Sequence, residues 1–227
     1  MLTERDRTVI IHVGLHGWLS HSQIQQLEFP SYDMTQRRLR EELLPNNYLD
    51  RKYLSGKNNT RKAIFRLGRK GKKIYKADTG EKAKVPRFSQ LKVPHRLMVN
   101  QLLIELKSRE IICINEFELE KKCGTIRPDA YVYYPENNFC LEVDRSGGET
   151  KDFIQKKWKQ YQREYMQGNL KTKYIVWSSN RCNQLHDYIK KVHQSRLKPI
   201  YINYKPKEIL KVIEYLSGSQ KVSQISR

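Results

Sequence analysis

The sequence predicts an α/β (α+β) chain built in two parts, a small helical part with a hairpin followed by a mixed sheet flanked by helices. Three observations predict it. Apolar residues at helical spacing fill the first 45 positions and give way to two short strand-like runs. From Pro94 onward helical and strand-like segments alternate in the order α-β-β-β-α-β-α-β-α. The charge splits the same way: 20 Lys and Arg face 9 Asp and Glu in residues 1–92, 7 face 10 in 93–150, and 17 face 5 in 151–227. An acidic segment thus sits between two basic ones.

Composition narrows the function. The net charge of +20 in 227 residues asks for a polyanionic partner. No run of about 18 apolar residues suggests a membrane span, and Met1–Gly14 lacks the apolar core and cleavage site of a signal peptide. Cys113, Cys123, Cys140 and Cys182 are scattered singly, without metal-ligand spacing. A cytoplasmic protein is expected.

The first part spans residues 1–75. Thr3 is placed to cap a first helix with Asp6 at its third position. Val9, Ile10, Val13 and Leu15 supply its apolar stripe, which ends near Gly14 or Gly17. Ser20 or Ser22 caps a short second helix. After the break at Phe29–Pro30–Ser31, a third helix is predicted to open at Thr35, with Leu39 and Leu43 inward and Gln36, Arg37, Arg38 and Arg40 outward. Tyr48–Leu54 and Ala63–Leu67 read as strands joined by a basic tip. Three helices followed by a basic hairpin describe a winged helix-turn-helix, whose last helix enters the major groove while the wing meets the backbone. Gln36, Arg37, Arg38 and Arg40 are then the candidate DNA readers, and Lys57, Arg61 and Lys62 the wing contacts. Residues 76–93 are aperiodic and charged and read as a linker.

The second part spans 94–216, with a polar tail, 217–227, expected to be disordered. Strands alternate faces, so Asp129 on one predicted strand and Glu142 and Asp144 on another converge if the two pair. Carboxylates this close raise one another's pKa unless a hard cation bridges them. Mg²⁺ or Mn²⁺ on Asp129, Glu142 and Asp144 is the expected cofactor, able to activate water against a phosphodiester. Tyr131, Tyr133, Tyr134, Tyr161 and Tyr165 cluster nearby, either to stack on unpaired bases or as ordinary core.

Pro128–Asp129 followed by Glu142-x-Asp144 resembles the restriction-endonuclease-like nuclease core, whose signature is Pro-Asp, a spacer, then Asp/Glu-x-Lys. The chain as a whole resembles the replication–relaxation proteins of bacterial plasmids and integrative elements. The residues that carry this are His95 with Asn100, Arg127–Ala130, Glu142–Arg145, and Lys157 with Tyr161. The resemblance implies a catalytic set of Asp129, Glu142, Lys157, Tyr161 and His95, and a protein that nicks or relaxes DNA during element replication or mobilisation. The signature lysine is replaced by Asp144, so the cation is expected from the following helix, at Lys157 first and Lys156 second. Tyr161 as a covalent nucleophile is disfavoured, because no trio of histidines accompanies it. Expected partners are double-stranded DNA, locally single-stranded origin DNA, other replication or mobilisation proteins and a second copy of the chain, with no membrane. The alternative is a non-catalytic origin-binding initiator, accessory or regulatory protein with a degenerate nuclease fold.

Overall fold

The computed structural model describes residues 1–55, 60–83, 85–115, 125–134, 137–144, 150–194, 196–205 and 207–217. It confirms an α/β fold with mixed sheets. The chain divides into two compact units, Met1–Ile104 and Glu105–Arg227.

In the first unit, α1 (Glu4–His16) is capped as its sequence requires: Asp6 N donates to Thr3 Oγ1 at 3.2 Å, and Thr3 N returns a bond to Asp6 Oδ2 at 2.8 Å. Gly17, at φ 75°, closes it. Ser20 and Gln23 form the same reciprocal cap on α2 (His21–Glu28). The third helix, α3, runs Tyr32–Arg38 and is capped by Ser31. It therefore starts three residues before the predicted Thr35. Thr35 is buried and bonds inward to Ser31 O at 2.9 Å. The helix continues as a π-helical turn, Leu39–Leu43, in which Leu44 N reaches back to Leu39 O at 3.0 Å.

The hairpin of β2 (Leu49–Ser55) and β3 (Arg61–Leu67) is antiparallel, with β1 (Leu19–Ser20) on its other edge in the order β1-β3-β2. Val9, Ile10, Val13, Ile24, Leu39, Leu43, Leu49, Phe65 and Leu67 make the core beneath it. Next, α4 (Arg69–Thr79) packs on α1 where Tyr75 lies against Gly14.

The expected linker is not one. Residues 76–79 complete α4, Pro86 O accepts a bond from Trp18 Nε1 at 3.3 Å, and the Phe88 ring meets the Trp18 ring edge-on at 5.7 Å. Val93 and Leu97 bury against the same Trp18 with Leu54 and Ile64. The stretch is a strap: its few apolar residues pack one tryptophan, too sparsely to show as periodicity. The first part of α5 (Lys92–Lys107) belongs to this unit as well. Asn100 there donates to Trp18 O at 2.7 Å, and Gln23 Nε2 donates to Leu97 O at 2.7 Å. The boundary thus falls after Ile104 rather than at 76–93.

The second unit holds a five-stranded sheet in the order β4-β5-β6-β7-β8, where β4 is Cys113–Asn115, β5 Ala130–Val132, β6 Phe139–Asp144, β7 Tyr174–Ser179 and β8 Lys198–Ile202. The first two pairings are antiparallel and the last two parallel. Helices α6 (Lys151–Met166), α7 (Cys182–Lys190) and α8 (Glu208–Leu216) follow β6, β7 and β8. Strand β5 is only three residues long. Its register with β6 places Val143 opposite Pro128, and Val143 N bonds the Asp129 side chain at 2.8 Å, so a carboxylate stands where the ladder would continue. Ile154, Trp158 and Tyr161 of α6 pack with Tyr131, Cys140, Ile175 and Trp177 of the sheet. The expected tail lies almost wholly outside the described residues.

Candidate functional site

Alternation along β6 puts Cys140, Glu142 and Asp144 on the face that α6 covers. Asp129 shares that face, since Tyr131 pairs with Cys140. Helix α6 opens at the Thr150 cap and turns Ile154, Lys157, Trp158 and Tyr161 toward the sheet at helical spacing.

The result is a carboxylate held from two directions. Lys157 Nζ donates to Glu142 Oε2 at 2.5 Å, and Tyr161 OH donates to Glu142 Oε1. Glu142 is 2% exposed, whereas the Lys157 side chain keeps 20%, so the cation is the group through which the site meets solvent. Burial pushes the Glu142 carboxyl up to about 7; Lys157 pulls it down, and the Asp129 carboxylate pushes it up. Tyr161 is raised well above an ordinary phenol, first by burial and then by the Glu142 charge. Lys156 is exposed, off this face.

Asp144 does not join the pair. Arg181 grips it with Nε at 2.6 Å and Nη2 at 3.0 Å, and Ser179 Oγ donates at 2.6 Å. The residue expected as a third metal ligand is held here by that charge-assisted fork. Among the described residues no group of three His, Cys, Asp or Glu could hold a metal ion. Asp129 and Glu142 do face one another. Arg181 escaped sequence reasoning. The signal for it is position, just past the carboxyl end of a central parallel strand, where open α/β sheets place their ligands.

The remaining expectations separate. His95 lies on α5 among the residues of the first unit. Asn100 serves that unit's core, donating to His16 O and Trp18 O. Tyr161 is fully buried, as is Tyr131, and Tyr133 and Tyr165 pack against the same core cluster. Arg145 and Cys123 lie outside the described residues.

In the first unit a cleft of about 470 Å³ opens between α3 and the hairpin. Gln36 and Arg40 line it from the helix, Arg61 and Lys62 from β3, and Arg51 and Tyr53 from β2. Arg51 stands over the Tyr53 ring at 5.3 Å. The His21 ring lies tilted against Tyr32, centroids 4.2 Å apart, along its edge, and burial lowers the His21 pKa. Arg37 is exposed but opens onto the other side of α3. Arg38 does not face outward: it turns back to clasp Asp6, Nε to Oδ1 at 3.1 Å, and ties α3 to α1. Lys57 lies outside the described residues. Arg51 and Tyr53 were missed because they lie within a strand, where outward residues read as plain surface.

Residues 11–176 match the family model described as replication-relaxation. No curated protein and no solved structure matches the chain. Among the described residues no helix is long and apolar enough to cross a membrane.

Proposed function

The chain belongs to the replication-relaxation family, and on that premise we propose that it binds the DNA of a replicating element through its first unit and nicks or relaxes DNA through its second. The observation that carries the reading is the Lys157–Glu142 contact at 2.5 Å. The signature lysine missing from β6 is supplied by α6, beside the carboxylates that the nuclease reading requires. In the first unit, three capped helices followed by a basic hairpin support a winged helix, with Gln36 and Arg40 toward bases and Arg61 and Lys62 toward backbone.

A divalent ion fits part of the expected site. Two facing carboxylates, one of them pushed up to about 7 by burial and its neighbour, suit Mg²⁺ or Mn²⁺, which takes one or two carboxylates and keeps waters. Asp129 and Glu142 would hold it, and Asp144 would not. Such an ion supplies Lewis-acid stabilisation and a more acidic water. The chain's own groups do the rest. Lys157 offers its positive charge to the scissile phosphate as negative charge builds there. Tyr161 fixes the Glu142 carboxylate in place. Glu142 would hold the ion beside the attacking water, whose proton passes to solvent.

A second reading, a non-catalytic origin-binding protein, is favoured by the Asp144–Arg181 pair, which occupies the signature position with a structural contact. Conversion of supercoiled plasmid to open circles in Mg²⁺ or Mn²⁺ separates the two. Lys157→Ala and Glu142→Gln are each expected to slow nicking about 100-fold or more, with duplex affinity close to wild type. Wild type and both variants nicking at one rate would sink the enzyme and leave the binding protein.

A further inference from the structure

The α4 helix carries Arg69, Lys70, Lys72, Lys73 and Lys76, all exposed. Arg69, Lys72, Lys73 and Lys76 recur at i, i+3, i+4 and i+7 and so form one stripe about 10 Å long. The opposite face is spent on packing. Tyr75 and Gly71 are buried there, and the helix's acid, Asp78, pairs with Arg7 at 3.0 Å. None of the four stripe cations has an ion-pair partner among the described residues.

The stripe works against its own helix. The first turn holds no acid, so cations crowd the positive end of the helix dipole. Like charges at i, i+3 and i+4 add repulsion. A solvated helix gains nothing from this arrangement, whereas a polyanion laid along it offsets the repulsion by its attraction for each cation. The stripe is also separate from the cleft: no α4 residue lines that cleft, and the start of α4 is tied instead to Asn47, past the end of the π-helical turn, by Lys70 N to Asn47 O at 3.0 Å and Arg69 N to Asn47 Oδ1 at 3.1 Å.

We propose that α4 is a second DNA-contacting surface, which grips duplex phosphates outside the cleft without reading sequence. This rests on the reading that the first unit binds DNA. The fit is one of charge and length, since about 10 Å of duplex presents about six phosphate charges.

The test uses the full chain and a mixed-sequence duplex of about 30 bp, about three helical turns, titrated across a range of salt. The quadruple variant Arg69→Gln, Lys72→Gln, Lys73→Gln, Lys76→Gln is compared with a cleft variant, Arg40→Gln with Arg61→Gln. The α4 variant is expected to flatten the slope of log K against log salt by about 3 to 4, at about 0.9 per lost phosphate contact. Its Tm should equal or exceed wild type, because the repulsion is gone. An unchanged slope in the α4 variant, with a flatter one in the cleft variant, overturns this proposal and leaves the DNA-binding reading standing. A wild type that does not bind the duplex overturns both. Loss of binding to phosphatidylserine vesicles with duplex binding intact would assign the stripe to a lipid surface and overturn the proposal.

Discussion

Asp6 is wholly buried and serves three masters: the Thr3 amide, the Thr3 hydroxyl and the Arg38 guanidinium. Burial works to raise its pKa, but the bonds from Arg38 and Thr3 outweigh burial and hold it below the ordinary value. A depressed carboxyl stabilises the fold above the unfolded-state pKa, near 4, and loses that contribution as pH falls through the depressed value. Asp6→Ala is expected to cost about 3 kcal/mol at neutral pH, since it removes a cap and strands a partly buried arginine. Urea melts at neutral pH and at about pH 3 check this: the gap between variant and wild type should shrink in acid, and a gap independent of pH would refute the linkage. This residue also marks how far the sequence was legible. Its role at the α1 cap follows from spacing alone, whereas its hold on Arg38 does not, because arginines on a helix after a break read as outward. Lys157 shows the converse. One helical stripe, Ile154 to Tyr161, was enough to place its ammonium on the carboxylate face, because both the period of the helix and the alternation of β6 are set by local sequence.

At the level of elements, contacts between backbones matter more than propensities. Gly71 sits inside α4, where alanine would ordinarily be worth about 1 kcal/mol. Here an added Cβ would lie 2.0 Å from the Tyr48 carbonyl oxygen, which cannot move without shifting the entry to β2. Gly71→Ala is therefore expected to destabilise by roughly 3 kcal/mol, and a rise in Tm would contradict the packing. The strap is a second case. Because Pro86 and Phe88 are held on Trp18, trypsin should cut wild type slowly at Arg87, and Phe88→Ala should make that site cut early. Equal rates would mean that the strap is not held. The sequence shows a charged, aperiodic stretch here, and only the tertiary partner, Trp18, buried between α1 and β1, reveals its anchoring.

At the scale of the whole chain, each unit owns a core: one gathers Val9, Ile10, Leu39, Leu43 and Phe65, the other Tyr131, Ile154, Trp158, Ile175 and Trp177. Calorimetry should resolve two transitions. Asp6→Ala is expected to lower one of them and Trp158→Ala the other, and a single transition shifted by both would show that the units melt together. The order of elements in the second unit was readable throughout, since strands and helices alternate with clean periods. The site was readable in part. Asp129, Glu142 and Lys157 obey those periods, whereas Arg181 reaches Asp144 across 37 positions by a contact that no local pattern encodes.

The π-helical turn at Leu39–Leu43 has a bearing on how this chain can change length. Leu44 bonds back five positions rather than four, so the turn holds one residue more than a regular helix needs. Loss of a single codon there would cost little locally and would even regularise the coil. The segment beyond would keep nearly its present direction relative to α3, because the wider turn already takes up the extra residue. Asn47, which anchors the start of α4, would therefore stay within reach of Arg69. A one-residue deletion in this stretch should thus be tolerated better than the same deletion within α1 or β2, and a Tm lowered equally by all three would contradict this.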